Sequence, residues 1–464
     1  MKMPLPDSAP TATHELFRGL GHFRSLLLAV GVVVLLSAHG HAAPRQALPG
    51  HQPKALRGLT ATGRPAATKR LQVSIGLPLR NTEELEKVLA GLYSSPANDS
   101  YHRWLTPEQF AERFGPTEAD YQAVMAFARA NGLTVAGTHP NRMLVDIEAP
   151  VGAIEKAFHV TLRSYQHPKE QRMFFAPDTE PSVEMATPLL HISGLDNLVI
   201  PRPLSHQRTA ASPAAEGSPQ AGSGPGGTYV GSNFRNAYVP GVSLTGTGQS
   251  VALVQFGGYY ASDITQYETS YGLPNVPLNY VLLNGITSIS YNAVSEAALD
   301  IEMAISMAPG LSQVITYLGS STNTILNRIA TDNVAKQISA SWTYDYDNNT
   351  LQIWKQLAAQ GQAFFNASGD SDAYPGTPDT PTDVPYITIV GGTTLSMNGA
   401  ATSWSAETVW NWGNGIGSGG GISTTYGMPV WQQGISMSAN HGSTTMRNLP
   451  DVAMCADNVR VIYN

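Results

Sequence analysis

The sequence predicts an α/β protein: a parallel sheet with helices on both faces, preceded by a separate, smaller α+β unit. Three observations carry this. After residue 228, unbroken apolar strands alternate with helices, as in a sheet buried on both faces. From about 71 to 200, short amphipathic helices and alternating strands are interleaved. Between the two, Thr209 to Gly227 is mostly Ala, Ser, Gly and Pro without apolar periodicity, a linker composition that proteases reach easily.

In chain order, residues 1–43 read as a secretory signal. Arg18, His22 and Arg24 precede the apolar run Leu26 to Leu36, and Gly40-His41-Ala42 supplies small residues for a peptidase. The run is short for a membrane span. Residues 44–70 form a flexible lead. In the first domain, 71–200, Leu71 to Leu77 is a strand and Asn81 to Tyr93 a helix. Thr106-Pro107-Glu108-Gln109 is a capping box with Pro at the first helical position. Thr117 opens a helix that ends at Asn131-Gly132. Met143 to Ile147 and Val160 to Tyr165 are strands around a helix from Gly152 to Phe158. Residues 201–227 are the linker, and 228–464 the second domain. There, strands are expected at Ser250 to Phe256, Ser312 to Leu318, Val334 to Trp342, Ala363 to Ala367 and Tyr386 to Val390. Helices are expected from Ser295 to about Pro309, Thr322 to Thr331 and Thr350 to Gln360. From 391 onward the chain reads as Gly/Ser-rich loop, most flexible at Ser418-Gly419-Gly420-Gly421.

Composition narrows the function. The chain has 464 residues, 13% of them charged, and one cysteine, so no intrachain disulfide forms. Residues 1–227 hold 21 Lys and Arg against 19 Asp and Glu; residues 228–464 hold 6 against 15. So acidic a second half does not bind nucleic acid, and it gains little positive self-repulsion in acid. Eleven of the twelve histidines precede residue 207, leaving only His441 beyond it. Proton transfer in the second half must run almost without imidazole.

One helix, Ser295 to Gly310, stands out. Small and apolar residues cover most of its surface, yet Glu296 and Asp300 stand four apart, on one face. Two like charges against a buried wall need a shared proton, a metal or catalysis to justify them. The bland alternative is that Glu296 complements the helix N-terminus and Asp300 faces water. Ligands of such sheets sit beyond the strands' C-terminal ends, where Ser341-Trp342 and Ser368-Gly369-Asp370 lie.

Taken in order, these segments resemble the sedolisin family, serine-carboxyl peptidases of subtilisin-like fold. The carrying segments are Trp104 to Phe110, Glu296 to Gly310, Ser339 to Trp342 and Ser368 to Ser371. Val390 to Thr393, Ser418 to Ser423 and Pro450-Asp451-Val452 complete the set. The first domain resembles the pro-kumamolisin-type activation prodomain. The resemblance implies that Glu296 is a general base, Asp300 its partner and Asp370 an oxyanion-hole acid, with Ser341 and Trp342 binding substrate. A carboxylate can still accept a proton in acid, where imidazole is already charged. It further implies polypeptide substrates, a prodomain acting as intramolecular inhibitor, and a secreted, extracellular or periplasmic monomer free of the membrane once the signal is removed. Two departures are evident. The family's nucleophile lies in a Gly-Thr-Ser segment after the Pro-Asp-Val segment, and none occurs here. The family's calcium site lies later still, so no metal ligand is assigned. The expectation is a truncated chain, inactive as written; the alternative is an inactive secreted relic or binding module. The other departure is Gln255, where the family often has Glu.

Overall fold

The computed structural model describes residues 45–207, 222–287, 289–376 and 382–464. The expected signal segment and residues 208–221 of the linker lie outside the described residues.

The first unit is built on a four-stranded antiparallel sheet of β1 (Arg70–Gly76), β2 (Thr134–Thr138), β3 (Leu144–Pro150) and β4 (His191–Ser193), in the order β2-β3-β1-β4. Four helices accompany it: α1 (Thr82–Leu92), α2 (Pro107–Arg113), α3 (Glu118–Ala130) and α4 (Val151–Phe158). α2 has the expected capping box, with Thr106 Oγ1 accepting from the Gln109 N–H and the Gln109 side chain accepting from the Thr106 N–H. β2 and β4 carry little pattern of their own and went unread in the sequence.

The second unit has an eight-stranded sheet. Its strands are β6 (Ser250–Gln255), β7 (Leu278–Leu282), β8 (Gln313–Leu318), β9 (Gln337–Ala340), β11 (Ala363–Ala367), β12 (Thr388–Asn398), β13 (Ser403–Val409) and β16 (Val452–Cys455). The order is β7-β8-β6-β9-β11-β12-β13, with β16 also on β12. Only the β12–β13 pair is antiparallel. The helices α5 (Ser232–Tyr238), α6 (Ala261–Ser270), α7 (Val294–Met307), α8 (Thr322–Asp332) and α9 (Asn348–Ala359) cover it. Helix α7 packs with β6, α5 and α6, whereas α8 packs with β6 and β8, and α9 with β11. This is the parallel, helix-covered architecture expected from the uninterrupted apolar strands.

Three expectations are corrected. Helix α7 starts at Val294, one residue before the expected Ser295 cap, because the Glu296 and Ala297 N–H groups already donate to the Ala293 carbonyl. The strand read as Val334 to Trp342 is shorter: it breaks at Ser341, and Trp342–Thr343 (β10) leaves the sheet. The segment from 391 onward is mostly strand, including β14 (Ile416–Gly427) and β15 (Met446–Leu449), and it contains Ser418 to Gly421. Glycine there marks close packing. A Cβ on Gly391 would meet the Pro450 ring at 2.6 Å, and one on Gly392 would meet Ala456 at 2.8 Å.

The two units share a hydrophobic cluster. Leu85, Leu89, Phe110, Phe114 and Met143 of the first pack with Ile325, Ile329, Trp354 and Leu357 of α8 and α9. Asp347 ties this junction. Its Oδ1 accepts from the Asn349 and Thr350 N–H groups at the start of α9, and its Oδ2 accepts from Ser193 Oγ on β4 at 2.5 Å. Asp347→Ala removes the cap and strands the Ser193 hydroxyl. It is expected to lower stability by about 2–3 kcal/mol, measured by urea unfolding; a loss under 0.5 kcal/mol would remove Asp347 from this role.

Candidate active site

The site lies where β6, β9 and β11 end, in the crevice such sheets leave beyond their carboxyl edge. β6 delivers Gln255, the break after β9 delivers Ser341, and the turn after β11 delivers Asp370. Helix α7 faces them with Glu296 and Asp300.

The two acids differ in their surroundings. Asp300 Oδ1 accepts from Ser341 Oγ at 2.6 Å, and Oδ2 accepts from Gln255 Nε2 at 2.5 Å. Glu296 is fully buried, and neither of its oxygens has a hydrogen-bond partner. The bland reading of Asp300 as a water-facing residue does not hold, because its carboxylate is bonded on both sides to protein. Burial holds the Glu296 carboxyl well above the ordinary range, and the charge of Asp300 pushes it further. The nearby Ser205 hydroxyl opposes this, and Asp370 adds to it. Asp300 is also raised by burial, against its two hydrogen bonds. Burial raises Asp370 to about 6, opposed by His206. The structure thus brings Glu296, Asp300, Asp370 and Ser341 into one neighbourhood.

Trp342 is placed differently. Its side chain is buried, its indole N–H donates to Gln255 Oε1 at 3.1 Å, and it packs against Phe256. Only its main chain meets another segment at the cleft: the pair Arg202–Pro203 (β5) runs antiparallel to β10, and the Leu204 N–H donates to the Ser341 carbonyl. The next two residues, Ser205 and His206, act on Glu296 and Asp370 respectively. The tail of the first unit therefore lies across the carboxyl cluster as an added strand. Sequence reasoning missed this tail and the bridging role of Gln255. Both depend on pairing between distant segments, and neither leaves a local signal.

A third acid of α7, Glu302, is also fully buried and accepts from the Ile462 N–H at 3.2 Å. Burial pushes it up to about 9. An acid raised on folding contributes stability that is present below its unfolded value of about 4.5 and lost as pH rises through about 9. Glu302→Gln should therefore stabilise the chain by about 3 kcal/mol at pH 7 and by nearly nothing at about pH 4. Thermal unfolding at the two pH values reads this; equal shifts would refute it.

Among the described residues no group of three or more His, Cys, Asp or Glu side chains is arranged to hold a metal ion. They do not fit calcium, and no chemistry is routed through a metal. No described helix is long and apolar enough to cross a membrane.

A helix-covered parallel sheet with buried carboxyls at its carboxyl edge defines an α/β hydrolase architecture, and similarity to known proteins specifies it as a serine-type peptidase. The family description "Pro-kumamolisin, activation domain" matches residues 57–198. Sedolisin from a Pseudomonas species is 32% identical over 431 residues, which are 84% of this chain and 71% of that protein. Kumamolisin from a Bacillus species is 29% identical over 89% of this chain and 78% of its own length. Xanthomonalisin from a Xanthomonas species is 29% identical over 83% of this chain, which spans only 53% of that relative. A solved structure of Pseudomonas sedolisin, a serine-carboxyl proteinase, aligns at 25% identity and a TM-score of 0.42, covering 48% of this chain and 69% of that one. The chain belongs to the sedolisin family and carries the family's activation domain.

Proposed function

We propose that this chain is the precursor of a secreted, acid-acting serine-carboxyl endopeptidase. In this reading Glu296 is the general base, Asp300 its partner, and Asp370 the protonated donor to the oxyanion. Ser341 and the main chain of Trp342 bind the substrate strand. Residues 1–43 are the signal, 44–70 a lead, 71–200 the activation prodomain, 201–227 the linker and 228–464 the peptidase domain. The product is a monomer that acts on polypeptides outside the cell or in the periplasm, and calcium belongs to the family's full-length form.

One observation carries the reading: two buried carboxyls on α7, one without any hydrogen-bond partner, beneath an extended segment of the same chain. Imidazole is scarce here, and a carboxyl base suits acid. The tail's strand-like pairing supports intramolecular inhibition, because the segment occupies the place a peptide substrate would take.

The test uses the product of the complete reading frame. Incubated at about pH 3–5, it should cleave denatured protein and convert itself by a cut within 201–227, located by N-terminal sequencing. A product that contains the Gly-Thr-Ser segment and stays uncut and inactive across that range refutes the peptidase reading. The second reading, an inactive relic or binding module, rests on the absence of Gly-Thr-Ser from these 464 residues. A stop codon directly after Asn464 would favour it.

A further inference from the structure

The two acids of α7 are one turn apart, yet all the hydrogen bonding goes to one of them. Asp300 accepts from Ser341 and Gln255, whereas both Glu296 oxygens are buried without a partner. Gln255 is itself fully buried, and its amide has only one usable orientation. The Trp342 indole N–H is a donor and nothing else, so the group it meets at 3.1 Å must be the amide oxygen. The amide NH2 is thereby turned toward Asp300 Oδ2. An NH2 group can only donate, so the oxygen facing it is stabilised as an unprotonated acceptor.

We infer that Gln255, oriented by Trp342, is a positioning residue that places the pair's single negative charge on Asp300 and leaves the proton on Glu296. This deepens the peptidase reading of the same site and rests on it for its meaning in catalysis. The other ionisable groups acting on the pair are Asp370, whose charge further disfavours ionised Glu296, and His206 on the tail, which acts on Asp370. Glu302, further along α7, faces Ile462 instead. While the tail lies in the cleft, Glu296 is silent as a base. It gains that role when its proton passes to Asp300 or to solvent. A carboxylate at position 255 would have repelled the charge that an amide attracts, so the residue type at this one position decides which acid is ionised.

Infrared spectroscopy of the intact chain tests this without any catalytic turnover. The C=O stretch of a protonated carboxyl is read at about pH 6, where an unperturbed carboxyl is ionised. Subtracting the Glu296→Gln spectrum from the wild-type spectrum should reveal a protonated carboxyl that disappears; subtracting Asp300→Asn should reveal a carboxylate. Other buried acids cancel in both differences. Gln255→Met keeps the length of the side chain and removes the donor, and should move the proton ratio toward Asp300 on the order of ten- to a hundredfold. Trp342→Phe keeps Gln255 but frees its amide to turn, and should move the ratio in the same direction by less. Thermal unfolding identifies any variant that fails to fold, and the wild-type differences decide the charge placement by themselves. A wild-type proton found on Asp300, or an unchanged ratio in whichever of the two variants folds, overturns the inference. Loss of the peptidase reading would instead show as absent proteolysis by the complete product, with these spectra unaffected.

Discussion

Glu296→Gln is expected to reduce peptide hydrolysis by the complete, activated product by about 10²–10⁴-fold. The substitution keeps the size of the side chain and removes its ability to accept the nucleophile's proton. Because Glu296 has no hydrogen-bond partner, no existing bond is broken, and the fold should survive. Stability should change in the opposite direction from activity. Burial and the Asp300 charge hold the Glu296 carboxyl above its ordinary range. Its contribution is therefore complete in acid and falls away as pH rises, so the neutral amide should raise the Tm near neutral pH and leave it unchanged in strong acid. Steady-state kinetics on a peptide substrate, with melting curves at both ends of the pH range, separate the two effects. Full activity in the variant would remove Glu296 from the chemistry.

Arg447→Met is expected to cost about 3–5 kcal/mol of stability. Arg447 is completely buried between β14 and the segment leading into β12. Its guanidinium donates to Asp451 Oδ2 at 2.6 Å, to the Ile387 carbonyl at 3.0 Å, and to the carbonyls of Asp383 and Val384. Asp451 in turn accepts from the Ile389 N–H at 2.8 Å and from Gln432. Methionine fills the volume but leaves a nearly buried carboxylate without its cation and several carbonyls without donors. Removing one partner of such a pair costs far more than the intact pair contributes. Urea unfolding would measure the loss, and hydrogen exchange should show it concentrated at β12, β15 and β16. A loss under 1 kcal/mol would mean that the pair is solvated in solution.

The helix with the paired acids was legible in the sequence because its apolar cover and its two charges are both local patterns. The parallel sheet was legible for a similar reason, since β6, β8 and β11 are continuous apolar runs bounded by turn residues. The failures share a cause. Strand β13 and the Gly/Ser-rich β14 are defined by their pairing with distant strands, and glycine carries no side-chain pattern to announce it. The tail at β5 is two residues long, and only its partner β10 makes it a strand. Among the site residues, Glu296, Asp300, Asp370 and Ser341 came from family motifs and chain position. The role of Gln255 required knowing that β6 and the break after β9 end side by side. That is a fact of topology, invisible to any window along the chain.

The segment lying across the cleft is attached to the fold it covers. A tethered occupant holds an effective concentration in the millimolar range, however dilute the protein becomes. A free peptide at micromolar levels competes against that constant local excess and loses. Dilution, washing or weak competitors therefore cannot expose the crevice; only scission of the chain, or detachment of the whole first unit from α8 and α9, turns the occupant into one more diffusing molecule.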